Sequence, residues 1–471
     1  MLEETIAAIA TALGPAGIGI IRISGPNALE IIYKLFSPIA KEIKNSNFLT
    51  FKNNIKSHRI YFGRIQNYAT NEILDEAIIL YMKGPKSFTR EDVVEIQVHS
   101  GIINLERILK EVIKAGARIA EPGEFTLRAF NNGRIDLTQA ESIIDLINAP
   151  CEKAAQIAIG QLSGILSKKI EKLRNCIYDI KAKLEAYIEF YDDENIAAEK
   201  ICFEAKKNLA ENILPEIKKI LKNSNEKSIY AKGIILTIAG YPNVGKSSLL
   251  NCLVEKETAI VSEIPGTTRD IVKDFLTIKG LPITACDTAG IHHSIDPIEL
   301  KGIKKTKENI ECSDIIIFIL DGSRILNKVE KEFLYKNNDR NLLKVINKID
   351  ISTEKNIANL EKYLNENNIP QISAKNDIGI EKLKNLIFEK ITHQKQTRIN
   401  FDFEVANLRQ CYLLEKIEKE INRIFEKEIF IDLQDFSDAI GIIINIFNKI
   451  TGNVNSDKLY KQIFQQFCIG K

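Results

Sequence analysis

Gly240-Tyr-Pro-Asn-Val-Gly-Lys-Ser247 has the glycine, lysine and hydroxyl spacing of a loop that wraps phosphate. Its glycines let backbone N–H groups close around phosphate oxygens, and the helix expected at Ser248–Val254 adds its N-terminal dipole. Lys246 would sit on the β and γ phosphates and the Ser247 hydroxyl on Mg²⁺, with Asn243, Val244, Gly245 and Ser248 completing the cradle. Three more motifs follow in order, each after a β-rich run. Asp287, Thr288, Ala289 and Gly290 offer a carboxylate behind the Mg²⁺ ion and an N–H for the γ-phosphate. Asn347, Lys348, Ile349 and Asp350, then Ser373, Ala374 and Lys375, suit a base. The Asp350 carboxylate can accept from guanine N1–H and its 2-amino group. Adenine has neither donor and would leave that carboxylate unpaired, a penalty on the order of 10⁴ in selectivity. The order and strand-end positions are those of a GTP-binding domain.

Hydrolysis needs an oriented water and neutralised charge. Ile291 follows Gly290 and cannot hydrogen-bond, so acidic residues downstream, Asp296 and Glu299, are the candidates for placing water. Asn243 and the stretch Ser262, Glu263, Ile264, Pro265, Gly266, Thr267, Thr268 suggest a second device. An amide oxygen plus backbone carbonyls could cage K⁺ beside the phosphates, supplying the charge of an arginine finger, with Thr268 completing the Mg²⁺ shell.

These loops need a frame. From Gly233 the pattern alternates strand, loop and helix, with strands at Ile234–Ala239, Ile283–Cys286, Asp314–Leu320, Leu343–Ile346 and Pro370–Ile372. Apolar strands separated by helices imply a doubly wound, mostly parallel sheet. The first third mixes strands (Ile18–Ile23, Arg59–Ile65, Ala77–Met82, Val93–Val98) with a helix from Ile102 to Ala115, an α+β module. Leu162, Leu166, Ile170, Leu173, Ile177, Ile180, Leu184 and Ile188 step as one long helix with a single apolar seam. A second helical stretch runs to about Leu221, broken by Pro215, and helices return at Phe403–Ile424 and Phe436–Ile450. The α/β unit therefore reads as an insertion into one helical domain: residues 1–135, helical 136–230, nucleotide-binding 231–392, helical 393–471.

The chain has 471 residues, about three domains at roughly 150 residues each. Hydrophobic residues are 45% and charged residues 27%, a globular balance. Lys+Arg 65 against Asp+Glu 63 excludes a basic nucleic-acid coat, so RNA contact would need a local patch. The charge runs Lys206-Lys207 and Lys218-Lys219 read first as solvated helix faces. Eight cysteines without Cys-x-x-Cys spacing point to a reduced, cytoplasmic setting. Glu3 and Glu4 stand where a targeting peptide would be basic, and no apolar run approaches the roughly 18 residues of a membrane span.

The nucleotide motifs, together with Thr5–Thr11, Gly19–Pro26, Glu91–Gln97, Pro122–Phe130, Asn132–Glu141 and the closing Phe467-Cys-Ile-Gly-Lys471, resemble the MnmE (TrmE) family of tRNA-modification GTPases over essentially the whole chain. The resemblance implies a cytosolic homodimer with an N-terminal tetrahydrofolate-binding and dimerisation domain. It implies a flavoprotein partner, MnmG, in a heterotetramer that adds an aminomethyl-type group at C5 of the tRNA wobble uridine. It implies K⁺-stimulated GTP hydrolysis, with K⁺ on Asn243, Ser262, Ile264 and Thr267, Mg²⁺ on Ser247 and Thr268, and Glu299 positioning water. Folate would meet Arg22, Glu95, Arg134 and Lys471. Departures from the family are Ile291-His292-His293 where an Arg is usual and Arg90 where Gly is usual. The Ala12–Ala16 loop also differs. Cys468 is a candidate nucleophile toward uracil C6, set against simple packing of the tail, and Phe464, Phe467 and Ile469 argue that the tail docks. Two other functions fit parts of the chain: a ribosome-assembly GTPase switch acting through binding alone, or a folate one-carbon transferase regulated by its G domain. The folate-like motifs and the tail weigh against the first; the second requires methyl transfer without a flavoprotein.

Overall fold

The computed structural model describes residues 4–39, 55–190, 195–254, 273–287, 311–337, 341–366, 369–394, 404–426, 433–453, 460 and 463–470. The chain falls into two compact units. One comprises Met1–Ile144, Gln161–Leu209 and Lys416–Lys471; the other comprises Asp145–Gly160 and Ala210–Glu415.

The first unit holds seven strands: β1 (Ile6–Ile9), β2 (Ile18–Ser24), β3 (Phe36–Pro38), β4 (Arg59–Gln66), β5 (Ile73–Met82), β6 (Val93–His99) and β7 (Arg118–Ile119). Their order is β3-β4-β5-β6-β2-β1-β7, antiparallel except for β1 with β7. Alternation sends Ile21, Ile23, Ile79 and Ile96 to one face, where the helices Ala28–Leu35 and Ile102–Lys114 cover them. The opposite face carries the row Ile60, Leu80, Glu95, Arg22 in cross-strand register. Phe125 closes this face near β1, whereas Ile60 and Phe62 on β4 stay exposed.

In the same unit the helix Ile165–Phe190 buries Leu166, Ile170, Leu173, Ile177, Ile180 and Leu184, as its seam predicts. It packs against the helix Leu433–Thr451, and Lys181 Nζ donates to the Ser437 carbonyl at 3.4 Å. The seam does not begin at Leu162, as the spacing suggested. Gly164 takes φ +81 and separates the helix Glu152–Leu162 from its successor, and Gln139 Nε2 caps the freed Leu162 carbonyl at 2.9 Å. Pro215 likewise begins a helix rather than ending one. It occupies the first turn of Leu214–Lys232, where a missing N–H costs nothing, after a π-helical turn at Leu209–Ile213.

The second unit is a five-stranded sheet of β8 (Ile234–Gly240), β9 (Lys273–Ile278), β10 (Leu281–Asp287), β11 (Ile315–Asp321) and β12 (Leu342–Asn347), in the order β12-β11-β8-β10-β9. Four strands are parallel and β9 is an antiparallel edge. β11 is buried throughout, as a strand covered on both faces must be. Two separate cores lie over the sheet, one around Ile238, Leu249 and Leu383, the other around Phe318, Leu334 and Leu360. The expected strand at Pro370–Ile372 shrinks to one bridge, Ile346 with Gln371, because the chain turns away at Ser373 to build a loop. β9 escaped the sequence pattern because Lys273, Asp274 and Thr277 interrupt its apolar residues, of which Leu276 and Ile278 are buried and Phe275 is exposed.

Candidate functional site

The loop Gly240–Ser247 joins β8 to the helix Lys246–Val254, the strand-turn-helix setting a phosphate cradle requires. Its backbone adopts two left-handed positions, Asn243 at φ +63 and Gly245 at φ +101. A Cβ at Gly245 would collide with the Asn347 side-chain amide, so only glycine fits. Lys246 is buried and its ammonium donates to the Gly240 and Tyr241 carbonyls at 3.3 and 3.2 Å, folded back over the cradle. Ser247 and Ser248 stand in the first helical turn behind it. Asp287 ends β10 beside Ile238 of β8, so its backbone borders the cradle.

Asn347 is a strut between the phosphate and base loops. Its Nδ2 donates to the Val244 carbonyl at 2.8 Å, and its Oδ1 accepts from the Ala374 N–H at 3.0 Å. Ser373 Oγ donates to Asp350 Oδ1 at 2.7 Å, which orients that carboxylate. The Ile349 N–H donates to the Ile372 carbonyl at 3.2 Å. Asn347–Asp350 and Ser373–Lys375, 23 residues apart at their facing side chains, thus form one rigid corner. Sequence reasoning missed Asp321, which receives the Lys348 ammonium at 2.7 Å. Burial alone would push the Asp321 carboxyl up; Lys348 and the two Ser323 donors more than offset this and hold it below the usual carboxylate range. The available signal was an acid ending an otherwise apolar strand.

Ser262, Glu263, Ile264, Pro265, Gly266, Thr267, Thr268, Thr288, Ala289, Gly290, Asp296, Glu299 and Lys471 lie outside the described residues. Among those described, no cluster of three or more His, Cys, Asp or Glu side chains could hold a metal ion.

In the first unit Arg22, Glu95 and Arg134 come together although the sequence separates them widely. Arg22 and Glu95 are register partners on β2 and β6, joined through Nε at 2.9 Å and Nη2 at 2.8 Å to Glu95 Oε1. The Arg22 guanidinium also faces the rings of Phe88 and Phe125 at 5.7 and 5.8 Å. Arg134 covers Phe88 at 4.7 Å and donates to the Phe88 carbonyl at 2.7 Å. Phe88, unassigned from the sequence, is the aromatic wall between two guanidinium groups. Burial pulls the Arg134 pKa down, and repulsion from Arg90 adds to it. Arg90 itself stands at φ +61, a left-handed position that suits glycine and costs this chain about 1 kcal/mol.

The tail docks on this pocket. Phe464 and Phe467 are buried against Leu137 and Ala140, and Arg22 Nη1 reaches the Gly470 carbonyl at 3.5 Å. Gly470 takes φ +100, where a Cβ would strike the Ile9 carbonyl. Ile469, expected to help, is exposed instead, because Phe464, Phe467 and Gly470 already fill the contact. Cys468 is also exposed, as a reacting thiol must be and a packing thiol need not be. Among the described residues no cysteine is joined in a disulfide. No described helix is long and apolar enough to cross a membrane.

The sequence model described as the GTP-binding protein TrmE N-terminus matches residues 5–134, and that of the MnmE helical domain matches residues 137–468. The tRNA modification GTPase MnmE of Desulforamulus reducens is 40% identical over 478 residues, 100% of each chain. That of Clostridioides difficile is 39% identical over 479 residues, again 100% of each. Among solved structures, Aquifex aeolicus Era bound to GDP·AlF4⁻ is similar over 40% of this chain and 66% of that one, with 28% identity and a TM-score of 0.28.

Proposed function

The chain belongs to the MnmE family of tRNA modification GTPases, and from that premise we propose that it splits GTP, stimulated by K⁺, to drive folate-dependent modification of the tRNA wobble uridine. The observation that carries the nucleotide half is the Asn347 strut, which locks a phosphate cradle to a guanine-shaped corner. Asp350, oriented by Ser373, accepts the two guanine donors. Lys246 supplies positive charge to the β and γ phosphates, and the N–H groups of the loop and the helix N-terminus bind their oxygens.

The donors present suit hard cations, which take oxygen ligands. Asn243 holds a neutral carboxamide in a strained left-handed loop position, and Ser247 offers a hydroxyl at a helix start. Ser247 with Thr268 would hold Mg²⁺; Asn243 with the backbones of Ser262, Ile264 and Thr267 would hold K⁺. When bound, these ions neutralise charge building on the phosphates. Glu299 would position the attacking water.

In the first unit, Arg22, Glu95, Arg134 and Lys471 would hold a 5,10-methylene or 5-formyl tetrahydrofolate. Arg22 and Arg134 supply cationic edges around the Phe88 ring, apt for a flat heterocycle with an anionic tail. The uncovered sheet face with Ile60 and Phe62 supports a homodimer. On this reading residues 1–135 bind folate and dimerise, 136–230 with 393–471 form the helical domain, and 231–392 form the G domain. The flavoprotein MnmG and tRNA are the partners, the setting is cytoplasmic, and exposed Cys468 is available to attack uracil C6.

The test is the GTPase rate in K⁺ against Na⁺, together with nucleoside analysis of tRNA from cells lacking the protein. A faster rate in K⁺ and an unmodified wobble uridine support the proposal. Equal rates remove the cation cage; intact wobble modification removes the pathway.

A further inference from the structure

β11 reads Ile-Ile-Ile-Phe-Ile-Leu-Asp, and its one charged residue, Asp321, is buried. A carboxylate in such a place must be paired. Oδ2 accepts from the Lys348 ammonium at 2.7 Å; Oδ1 accepts from the Ser323 N–H at 3.0 Å and its hydroxyl at 2.6 Å. Lys348 is the second residue of the base motif and stands at φ +65, a conformation that side chains with a Cβ avoid. Such a backbone persists only where its surroundings over-determine it.

The restraints are visible. The Gly322 N–H donates to the Asn347 carbonyl at 2.9 Å, the Ile349 N–H to the Ile372 carbonyl at 3.2 Å, and Ser352 Oγ to the Lys348 carbonyl at 2.6 Å. Among the described residues, Asp321 is the only acid paired with the Lys348 side chain. We infer that Asp321 is a positioning residue for base selection: by pinning the Lys348 ammonium it fixes the strained turn that presents Asp350 to guanine. The inference rests on the guanine-nucleotide reading above and adds a specificity determinant to it. The same anchor runs on toward the phosphates. Arg324, on the turn after Asp321, faces the Tyr241 ring of the phosphate loop at 5.3 Å and pairs with buried Glu330 at 2.7 and 2.9 Å.

The test measures binding of fluorescent GDP and of IDP, which lacks the 2-amino group, to the full chain. In Asp321→Asn the side chain keeps its shape but loses its charge toward Lys348. GDP affinity should fall about tenfold and the preference for GDP over IDP should narrow, while kcat at saturating GTP changes by less than about twofold. Lys348→Met keeps the alkyl stem without the ammonium and should narrow the preference equally. The double variant should be no weaker than either single, because one contact is removed by both routes. An unaltered GDP-to-IDP ratio in Lys348→Met, or losses that multiply in the double variant, overturns the inference. Lys348 is partly exposed, so its variant decides the matter even if Asp321→Asn does not fold. An unmutated chain that binds ADP as tightly as GDP would overturn the guanine reading itself, and that result stands apart from any variant.

Discussion

At the ends of β8, β11 and β12 the ligand-facing groups are backbone N–H groups and short side chains that hold one another: Asn347 bridges Val244 and Ala374, and Ser373 orients Asp350. Around Arg22 they are long charged side chains laid against Phe88 and Phe125. The first arrangement is preorganised, because its polar groups already have partners and little reorders on binding. The second holds cations whose charge is only partly met within the protein, and it gains most when an anion arrives. Selectivity should therefore be steep at the nucleotide corner and shallow, side chain by side chain, in the pocket.

The largest test of that contrast is Asp350→Asn. It replaces an acceptor with a group that also donates, and GTP turnover should fall by about 10³-fold or more, with xanthosine triphosphate becoming the better substrate. Comparison of kcat/KM for the two nucleotides checks it, and a variant that still favours GTP would break the comparison. Gly245→Ala comes next. The added methyl meets the Asn347 amide at a φ of +101, and GDP affinity should drop roughly tenfold to a hundredfold in a calorimetric titration. If the loop absorbs the methyl without loss, the cradle is not rigid.

Arg134→Ala should weaken tetrahydrofolate binding by about tenfold in the same kind of titration. The lost hydrogen bond to the Phe88 carbonyl and the relieved repulsion from Arg90 act in opposite directions, so the melting midpoint of the unliganded chain should shift little. A loss of more than about 10³-fold, the scale expected at the nucleotide corner, would erase the distinction between the two sites.

The smallest effect concerns the rim of the N-terminal sheet. His99 Nδ1 meets Asp75 Oδ1 at 2.7 Å, and Asn104 Nδ2 donates to the other Asp75 oxygen at 2.7 Å. The hydrogen bond to Asp75, then its charge, raises the His99 pKa; burial tends to raise that of Asp75, but His99 and Asn104 leave it lowered. The His99 contribution is complete below its unfolded value of about 6.5 and is lost as pH climbs through the folded value. The Asp75 contribution is present above the ordinary carboxylate range and is lost in acid. The melting midpoint should thus decline slightly as pH rises above about 6.5, and His99→Gln should abolish that slope. An identical slope in the variant would show that His99 is not its source.

Much of the candidate nucleotide site was legible because its parts are short, contiguous and tied to strand ends: Gly240–Ser247, Asn347–Asp350 and Ser373–Lys375 each suggest their own chemistry. The parallel order of β8, β10, β11 and β12 followed from apolar runs that need cover on both faces. The break at Gly164 was hidden because the apolar spacing continues in phase across it, and a left-handed glycine leaves no mark on periodicity. Pro215 was misjudged because a proline that stops one helix is indistinguishable, in sequence, from one that opens the next.

The sequence by itself determined which residues could wrap phosphate, select guanine and line buried strands, since loop chemistry and hydrophobic period act over a few neighbouring residues. Tertiary structure alone decided that Arg22 would face Glu95, Phe88 and Gly470, that Asp321 would meet Lys348, and that the helix Ile165–Phe190 would find the helix Leu433–Thr451. Those pairings depend on strand register and on which faces are left to bury. Both are settled by the whole unit minimising exposed apolar area and unpaired charge, not by any local run of residues.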